Sequence, residues 1–383
     1  MQDEVVLHRP VNSLPITAAS RATWRLPLGI AVGLTGVKVL IYALLARGGL
    51  ATALCQWDCG WYISIAGGGY DSTSHLVGHY PQANWAFFPL YPLLLHCFDG
   101  LTTIAPRASG LVISTACFIA FAVVGSRYRA MTRSPESVWT WLLLLTMWPY
   151  GFYFHAVYTE ALYAALAILG LLALEAGQPF AAGCASALLT ATRPTGIVFA
   201  AWIAGDRLVR ATLAGSVWRA GVALLPALIA PAGLLAFMLL LYMKAGDPLA
   251  FVHIEAGWQH TARDPAAVLW SGFTTFSFRP LRIGQPYLAA WAVLGLAAGG
   301  WLLVARRFAE AWLCGMTVIM ALASGTLWSM PRFVAANPAF LLACADLLVA
   351  IRWRMLRGAV LVVMAGLQIV FVMAWYRGAG FLT

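Results

Sequence analysis

An all-α, polytopic bundle of membrane-spanning helices is the fold this sequence predicts, and three observations carry the prediction. Hydrophobic residues make up 62% of the 383, charged residues only 10%, and the mean hydropathy is +0.80, far outside the range of a soluble domain. Apolar runs near the roughly 20 residues a helix needs to cross a bilayer recur along the chain, separated by short connectors that carry arginine or proline. The connectors are also unequal in charge, as they are when basic loops are retained on the cytoplasmic side.

About eleven helices are expected by the length rule, at 26–46, 108–126, 137–154, 160–175, 180–192, 195–206, 220–243, 287–305, 310–328, 333–351 and 358–376. The pair 180–192 and 195–206 is too short for two ordinary spans. It reads as a re-entrant pair, or as one long tilted helix broken at Pro194, since proline removes a backbone donor and kinks a helix.

With the amino terminus inside, Arg9, Arg21, Arg25, Arg127, Arg129, Arg133, Arg207, Arg210, Arg219, Arg306, Arg307, Arg352, Arg354 and Arg357 all fall in internal segments, 14 of the 24 basic residues. The external side holds seven: Arg47, Arg107, Lys244, Arg263, Arg279, Arg282 and Arg377. Lys38, Arg193 and Arg332 lie within or beside spans. The net charge of +10 is therefore mainly topological. A nucleic-acid partner is not expected, because no contiguous basic patch with stacking aromatics appears.

Residues 1–25 then form a cytoplasmic segment, polar and without the short apolar core and cleavage site of a signal peptide, and 26–383 a single integral membrane domain. Two external segments are long, 47–107 and 244–286. They carry Asp58, Asp71, Asp99, Asp247, Glu255 and Asp264, the histidines other than His8 and His155, and many aromatics. The chemistry is expected there. Cys97, Cys117, Cys184, Cys314 and Cys344 sit in or against apolar spans, where a thiol packs as a small hydrophobe. Cys55 and Cys59 could meet on an oxidising side, but a spacing of four residues is weak support for a disulfide, and the pairing stays open.

Within the first external segment, Trp57-Asp58 is followed by Trp61-Tyr62, Ile65-Ala66 and Gly69-Tyr70, then by Phe-Phe-Pro-Leu-Tyr-Pro at 87–92. Further along come Tyr158-Thr159-Glu160 with Leu162-Tyr163, then Thr192-Arg193-Pro194-Thr195-Gly196. Gly246 to Phe251 and Met330-Pro331-Arg332-Phe333 ahead of Pro338 complete the series. In order and spacing these motifs resemble the bacterial branch of the PIG-V family, which includes the second mannosyltransferase of glycosylphosphatidylinositol assembly. The resemblance implies a membrane-embedded glycosyltransferase of the GT-C class in the bacterial inner membrane. Its donor would be a polyprenyl-phosphate-linked sugar, expected to be mannose, and transfer would occur on the external side without a metal or other cofactor. The acceptor could be a glycan, a glycolipid or a protein, with membrane lipids around the bundle.

The residues support such chemistry on their own terms. Moving a sugar from a phosphate to a hydroxyl requires a group that takes the acceptor's proton and cations that hold the charge growing on the phosphate. Asp58 is the candidate base, at the water boundary between Trp57 and Trp61; the alternative role is capping of a short interfacial helix. Trp57, Trp61 and Tyr62 are candidate sugar contacts. Arg193 and Arg332 are the candidate phosphate partners, because a guanidinium fork binds two phosphate oxygens at once. A structural ion pair with Glu160 or Asp346 is the alternative for each. Glu160 suits a second acidic site residue or a helix-start charge. Asp71, His79 and Tyr80 are candidates for the acceptor groove or are solvated loop residues. Gly67, Gly68 and Gly69 lack the strand-to-helix setting of a phosphate loop, and Asp247-Pro248 reads as a turn or helix start. No metal site is expected, since no carboxylates or histidines have ligand spacing.

The expected reaction is a single in-line displacement with inversion, Asp58 deprotonating the acceptor while Arg193 or Arg332 steadies the released polyprenyl phosphate. A transporter or flippase of lipid-linked saccharides is the alternative, although such proteins tend to carry internal repeats and none is evident. A non-catalytic scaffold fits poorly with so much chemically loaded external sequence.

Overall fold

The computed structural model describes residues 24–258, 260–274 and 285–382. Most of the amino-terminal segment, with Arg9 and Arg21, and the part of the second external segment with Arg279 and Arg282 lie outside the described residues. The chain runs through α1 (Arg25–Leu45), the short α2 (Leu50–Ala53) and α3 (Cys59–Gly68). A hairpin of β1 (His75–Val77) and β2 (Tyr80–Gln82) follows, in antiparallel register with Leu76 opposite Pro81, and then α4 (Leu90–Leu101). Next come α5 (Pro106–Thr132), α6 (Pro135–Met147), α7 (Glu160–Glu175), α8 (Pro179–Thr190), α9 (Gly196–Thr212), α10 (Val217–Ile229) and α11 (Ala232–Ala245). The last group is α12 (Ala250–His253), α13 (Pro265–Thr274), α14 (Gln285–Val304), α15 (Phe308–Ala323), α16 (Met330–Ala335), α17 (Pro338–Ala350) and α18 (Arg354–Tyr376).

This is an all-α membrane architecture, but not eleven full spans. Among the described residues four helices, α1, α5, α14 and α18, are long and apolar enough to cross a bilayer, or five if α10 and α11, bent by 52°, make one. Other apolar runs form shorter helices, among them α8, α15 and α17. Hydropathy alone does not register the breaks. The run at 137–154 stops its α-helix at Met147, just before Pro149, and continues as a 3-10 turn at Gly151–Phe154. Of the two readings of 180–206, one long helix broken at Pro194 does not hold: α8 and α9 are separate helices packed on each other. The segment 220–243 breaks near Pro231, and 333–351 is divided by Asn337, whose side chain accepts from Ala339 N at 2.9 Å to start α17.

Two breaks inside the bundle are met by side-chain hydrogen bonds, as backbone groups away from water require. At the α10–α11 bend Ser186 donates to Ala230 O (3.2 Å), and Leu234 N donates to Thr190 Oγ1 (3.2 Å). The helices come so close that a Cβ on Gly233 would sit 2.0 Å from Ala187 O. At the end of α6 Lys38 Nζ donates to Leu145 O (3.1 Å), while Gln368 Nε2 donates to Thr146 O (3.0 Å) and to Trp148 O. The buried Lys38 is thus a helix cap, a cation at the negative end of α6; it also stands 4.3 Å over the Phe118 ring.

The centre of the bundle is α7, buried on almost every side and packed on α5 and α8, as a helix apolar all round must be. Its amino-terminal residue, Glu160, is buried with it. At the other end of the bundle, Asp346 on α17 accepts from Arg129 of α5, from Arg133 Nη2 (3.2 Å) and from Arg307 Nη1 (2.5 Å). Arg307 also pairs with Glu310 (2.7 Å), which takes a bond from Tyr128 (2.5 Å).

Candidate functional site

Four charged side chains from four distant parts of the sequence meet at the opposite end of the bundle. Asp58 Oδ2 accepts from Arg332 Nη1 at 2.7 Å, Arg332 Nε lies 3.2 Å from Glu160 Oε1, and Arg193 Nη1 donates to the same Glu160 oxygen at 2.9 Å. The side chains are progressively deeper, with Asp58 27% exposed, Arg332 14%, Arg193 10% and Glu160 2%. Glu160 Oε2 is buried and has no hydrogen-bond partner among the described residues.

The local fold explains why Asp58 faces this cluster. Asp58 occupies the cap position of α3 but its side chain makes no capping bond, so the helix-cap alternative is not the role the geometry gives it. The turn that presents it is fixed in three ways. Cys55 and Cys59 are joined by a disulfide, the pairing left open by the sequence. Tyr158 OH donates to Gln56 O (3.1 Å) and accepts from Asp58 N (3.3 Å). The Trp57 ring meets the buried Trp375 edge-on at 4.5 Å. Together these hold Trp57 at φ 38°, a left-handed conformation that a bulky residue keeps only when its surroundings impose it.

The arginines lie over aromatic rings. Arg332 lies over the rings of Tyr158 (5.2 Å) and Phe333 (5.9 Å), and Arg193 over Phe333 (5.1 Å) and Tyr163 (5.7 Å). Stacking of this kind fixes a guanidinium plane while leaving its edge free to form hydrogen bonds. Arg193 reaches the cluster from the link between α8 and α9, and Arg332 from the short α16, which has Pro331 in its first turn. Asp346, the other partner considered for these arginines, belongs to the far cluster.

The remaining candidates divide. Tyr62, one turn after Asp58, is buried among Phe87, Tyr91 and Tyr158; burial first, and then the charges of Asp58 and Glu160, push its phenol well above the usual tyrosine range. Trp61 stacks on Phe87 (5.6 Å) and meets Trp258 edge-on (5.9 Å) and His75 (6.2 Å). That aromatic group joins the two external segments, and Gly257 is pressed so tightly on Pro81 O that a Cβ would lie 2.0 Å from it. Asp71 closes the hairpin: its Oδ2 accepts from Asn84 N and its backbone N donates to Asn84 Oδ1, both at 3.0 Å, while its carbonyl takes Trp85 Nε1 (2.8 Å). His79 and Tyr80 lie exposed on the same hairpin. Asp247 begins the second external segment, hydrogen-bonded by His253 Nδ1 at 2.6 Å, and that bond holds its carboxyl below the usual range.

Sequence reasoning did not single out Tyr158 and Phe333, the shelf under the arginines. Their signal was present, since each adjoins a site residue within a motif. Among the described residues no group of three or more His, Cys, Asp or Glu lies close enough to hold a metal ion.

No protein-family model matches the chain. It is similar to GPI alpha-1,6-mannosyltransferase 2 of Rattus norvegicus, 30% identical over 175 residues that are 42% of this chain and 32% of that protein. It is also similar to GPI alpha-1,6-mannosyltransferase 2 of Cricetulus griseus, 28% identical over 163 residues, 39% of this chain and 31% of that one. The matched part thus spans about a third of the length of the curated relatives.

Proposed function

We propose that this protein is a glycosyltransferase that moves a sugar, mannose in the first instance, from a polyprenyl-phosphate carrier to an acceptor hydroxyl of a glycan, glycolipid or protein. The observation that carries the reading is the Asp58–Arg332–Glu160–Arg193 cluster. An aspartate released from its capping role and partly open to solvent stands beside two stacked guanidinium groups, the set of groups that such a transfer requires. The similarity to two GPI alpha-1,6-mannosyltransferases supports mannose as the sugar.

Asp58 takes the proton of the acceptor hydroxyl as the oxygen forms its bond to the anomeric carbon. The carbon–oxygen bond to phosphate breaks, and its electron pair leaves on the phosphate, where Arg332 and Arg193 hold the charge. Attack opposite the leaving group inverts the centre, so a β-linked donor yields an α-linked product. No metal enters this scheme, and Tyr62, Trp57 and Trp61 line the approach from the aromatic side, with Glu160 accepting from a sugar hydroxyl. We place this end of the single membrane domain on the external, periplasmic face of a bacterial inner membrane. The arginine-rich connectors at the other end support that orientation, as does a disulfide in the turn beside the base, a bond favoured in an oxidising compartment.

The test is transfer by purified protein supplied with polyprenyl-phosphate mannose and membrane-extract acceptors. An α-linked product establishes the reading. Binding of the donor without turnover, in a protein that moves the intact lipid across vesicles, would replace it with transport.

A further inference from the structure

We propose that the donor's phosphate unlocks the base: by taking Arg332 it releases Asp58, so the lipid-linked donor must be seated before the acceptor hydroxyl is deprotonated. This rests on the reading of Asp58 as base and Arg332 as phosphate partner, and adds the order in which they act.

Several observations support it. The Asp58 oxygen nearest the cluster is engaged by Arg332 Nη1 at 2.7 Å, and a lone pair so occupied is not available to an incoming proton. The cluster is also balanced, two carboxylates against two guanidinium groups, so an anionic phosphate finds no spare positive charge until one carboxylate withdraws. Asp58 is the one that can withdraw, being 27% exposed against 2% for Glu160. Its backbone stays in place meanwhile, because Tyr158 OH holds its N–H and the disulfide closes its turn. Finally, Glu160 keeps a cation when Arg332 turns away, since Arg193 Nη1 binds it at 2.9 Å. The cation–π contacts of Arg332 with Tyr158 and Phe333 let its N–H groups change partners while it stays over the rings.

The experiment measures binding of citronellyl phosphate, a short prenyl phosphate, to the full chain in detergent. Asp58 competes with the phosphate for Arg332, so Asp58→Asn is expected to bind about two- to fivefold tighter than wild type, the range set by a partly exposed ion pair. Removal of a negative charge could tighten binding by simple relief of repulsion, and a double-mutant cycle separates the two causes. If Arg332 is the contested group, the gain from Asp58→Asn vanishes in an Arg332→Gln background; if repulsion is the cause, it persists there and the proposal is overturned. Should Arg332→Gln fail to fold, Arg332→Met keeps the stem over Tyr158 and completes the cycle. Unchanged or weaker binding by Asp58→Asn also overturns the proposal. Transfer distinguishes the levels: an Asp58→Asn protein that transfers normally removes the base itself, whereas one that is inactive but binds no tighter removes only the unlocking.

Discussion

The bundle gathers arginines and carboxylates at both ends, and the two gatherings differ in a way that separates a site from a brace. At one end, three arginines surround Asp346 and one of them also takes Glu310. Cations are in excess, both Asp346 oxygens are occupied, and the groups come from α5, α15 and α17 or the residues that flank them, which they tie together. At the Asp58 end charges balance, Glu160 keeps a buried oxygen without a partner among the described residues, and Asp58 is partly open. All four groups there come from turns, breaks and helix starts. Ionisable groups at membrane depth are expected to be functional or held in closed pairs, and the Asp346 cluster has the closed form while the Asp58 cluster is the one left partly open.

Substitutions at the two ends should therefore fail differently. The largest expected effect is on turnover: Asp58→Asn should lower kcat by about 100-fold or more, the usual scale for a lost general base, while the thermal midpoint measured by light scattering stays close to wild type. Asp346→Asn should do the reverse, leaving kcat of the folded fraction intact but lowering stability by about 3–5 kcal/mol, because it strands buried arginines. Denaturant titration of the detergent-solubilised protein reads that difference. If Asp346→Asn were as stable as wild type and Asp58→Asn unfolded, the contrast between brace and site would be void.

Smaller effects sharpen the Asp58 end. Arg193→Lys keeps the charge but loses the planar fork and the stacking on Phe333, and should reduce kcat/KM for the donor about tenfold. Cys55→Ser with Cys59→Ser frees the turn that holds Trp57 in its left-handed conformation. Misplacement of Asp58 should then slow transfer about tenfold, and a reductant should slow the wild type alike but leave the double variant unaffected. The least effect is expected at Asp247. Its carboxyl is held below the usual range by His253, so the contact contributes above the unfolded carboxylate pKa of about 4 and is lost as pH falls through the lowered value. Hydrogen exchange of residues 247–253 should show that loss in wild type and not in His253→Ala, with transfer at neutral pH unchanged by the substitution.

The sequence made part of this legible. Asp58, Glu160, Arg193 and Arg332 each stood in a motif whose residue types suited phosphate or proton chemistry. Their meeting was not readable, because Asp58 and Arg332 lie 274 positions apart and nothing local encodes such a contact. Composition announced the membrane class, but hydropathy counts apolar residues without seeing where a helix stops, so breaks at Pro149 and Pro231 were absorbed into longer spans. The helices α3 and α4 lay hidden in an external segment expected from its chemistry alone. Lys38 had no explanation in the sequence because its partner is a backbone carbonyl, which every residue carries.

That lysine has a bearing on how the molecule is assembled. The frayed end of α6 is sealed from two sides, by Lys38 from a helix made earlier and by Gln368 from one made more than two hundred residues later. Until α18 has been synthesised and joins the bundle, the carbonyls of Thr146 and Trp148 lack that donor. A ribosome stalled before residue 368 would leave behind a nascent protein with an open seam, the kind of defect that membrane quality control can recognise.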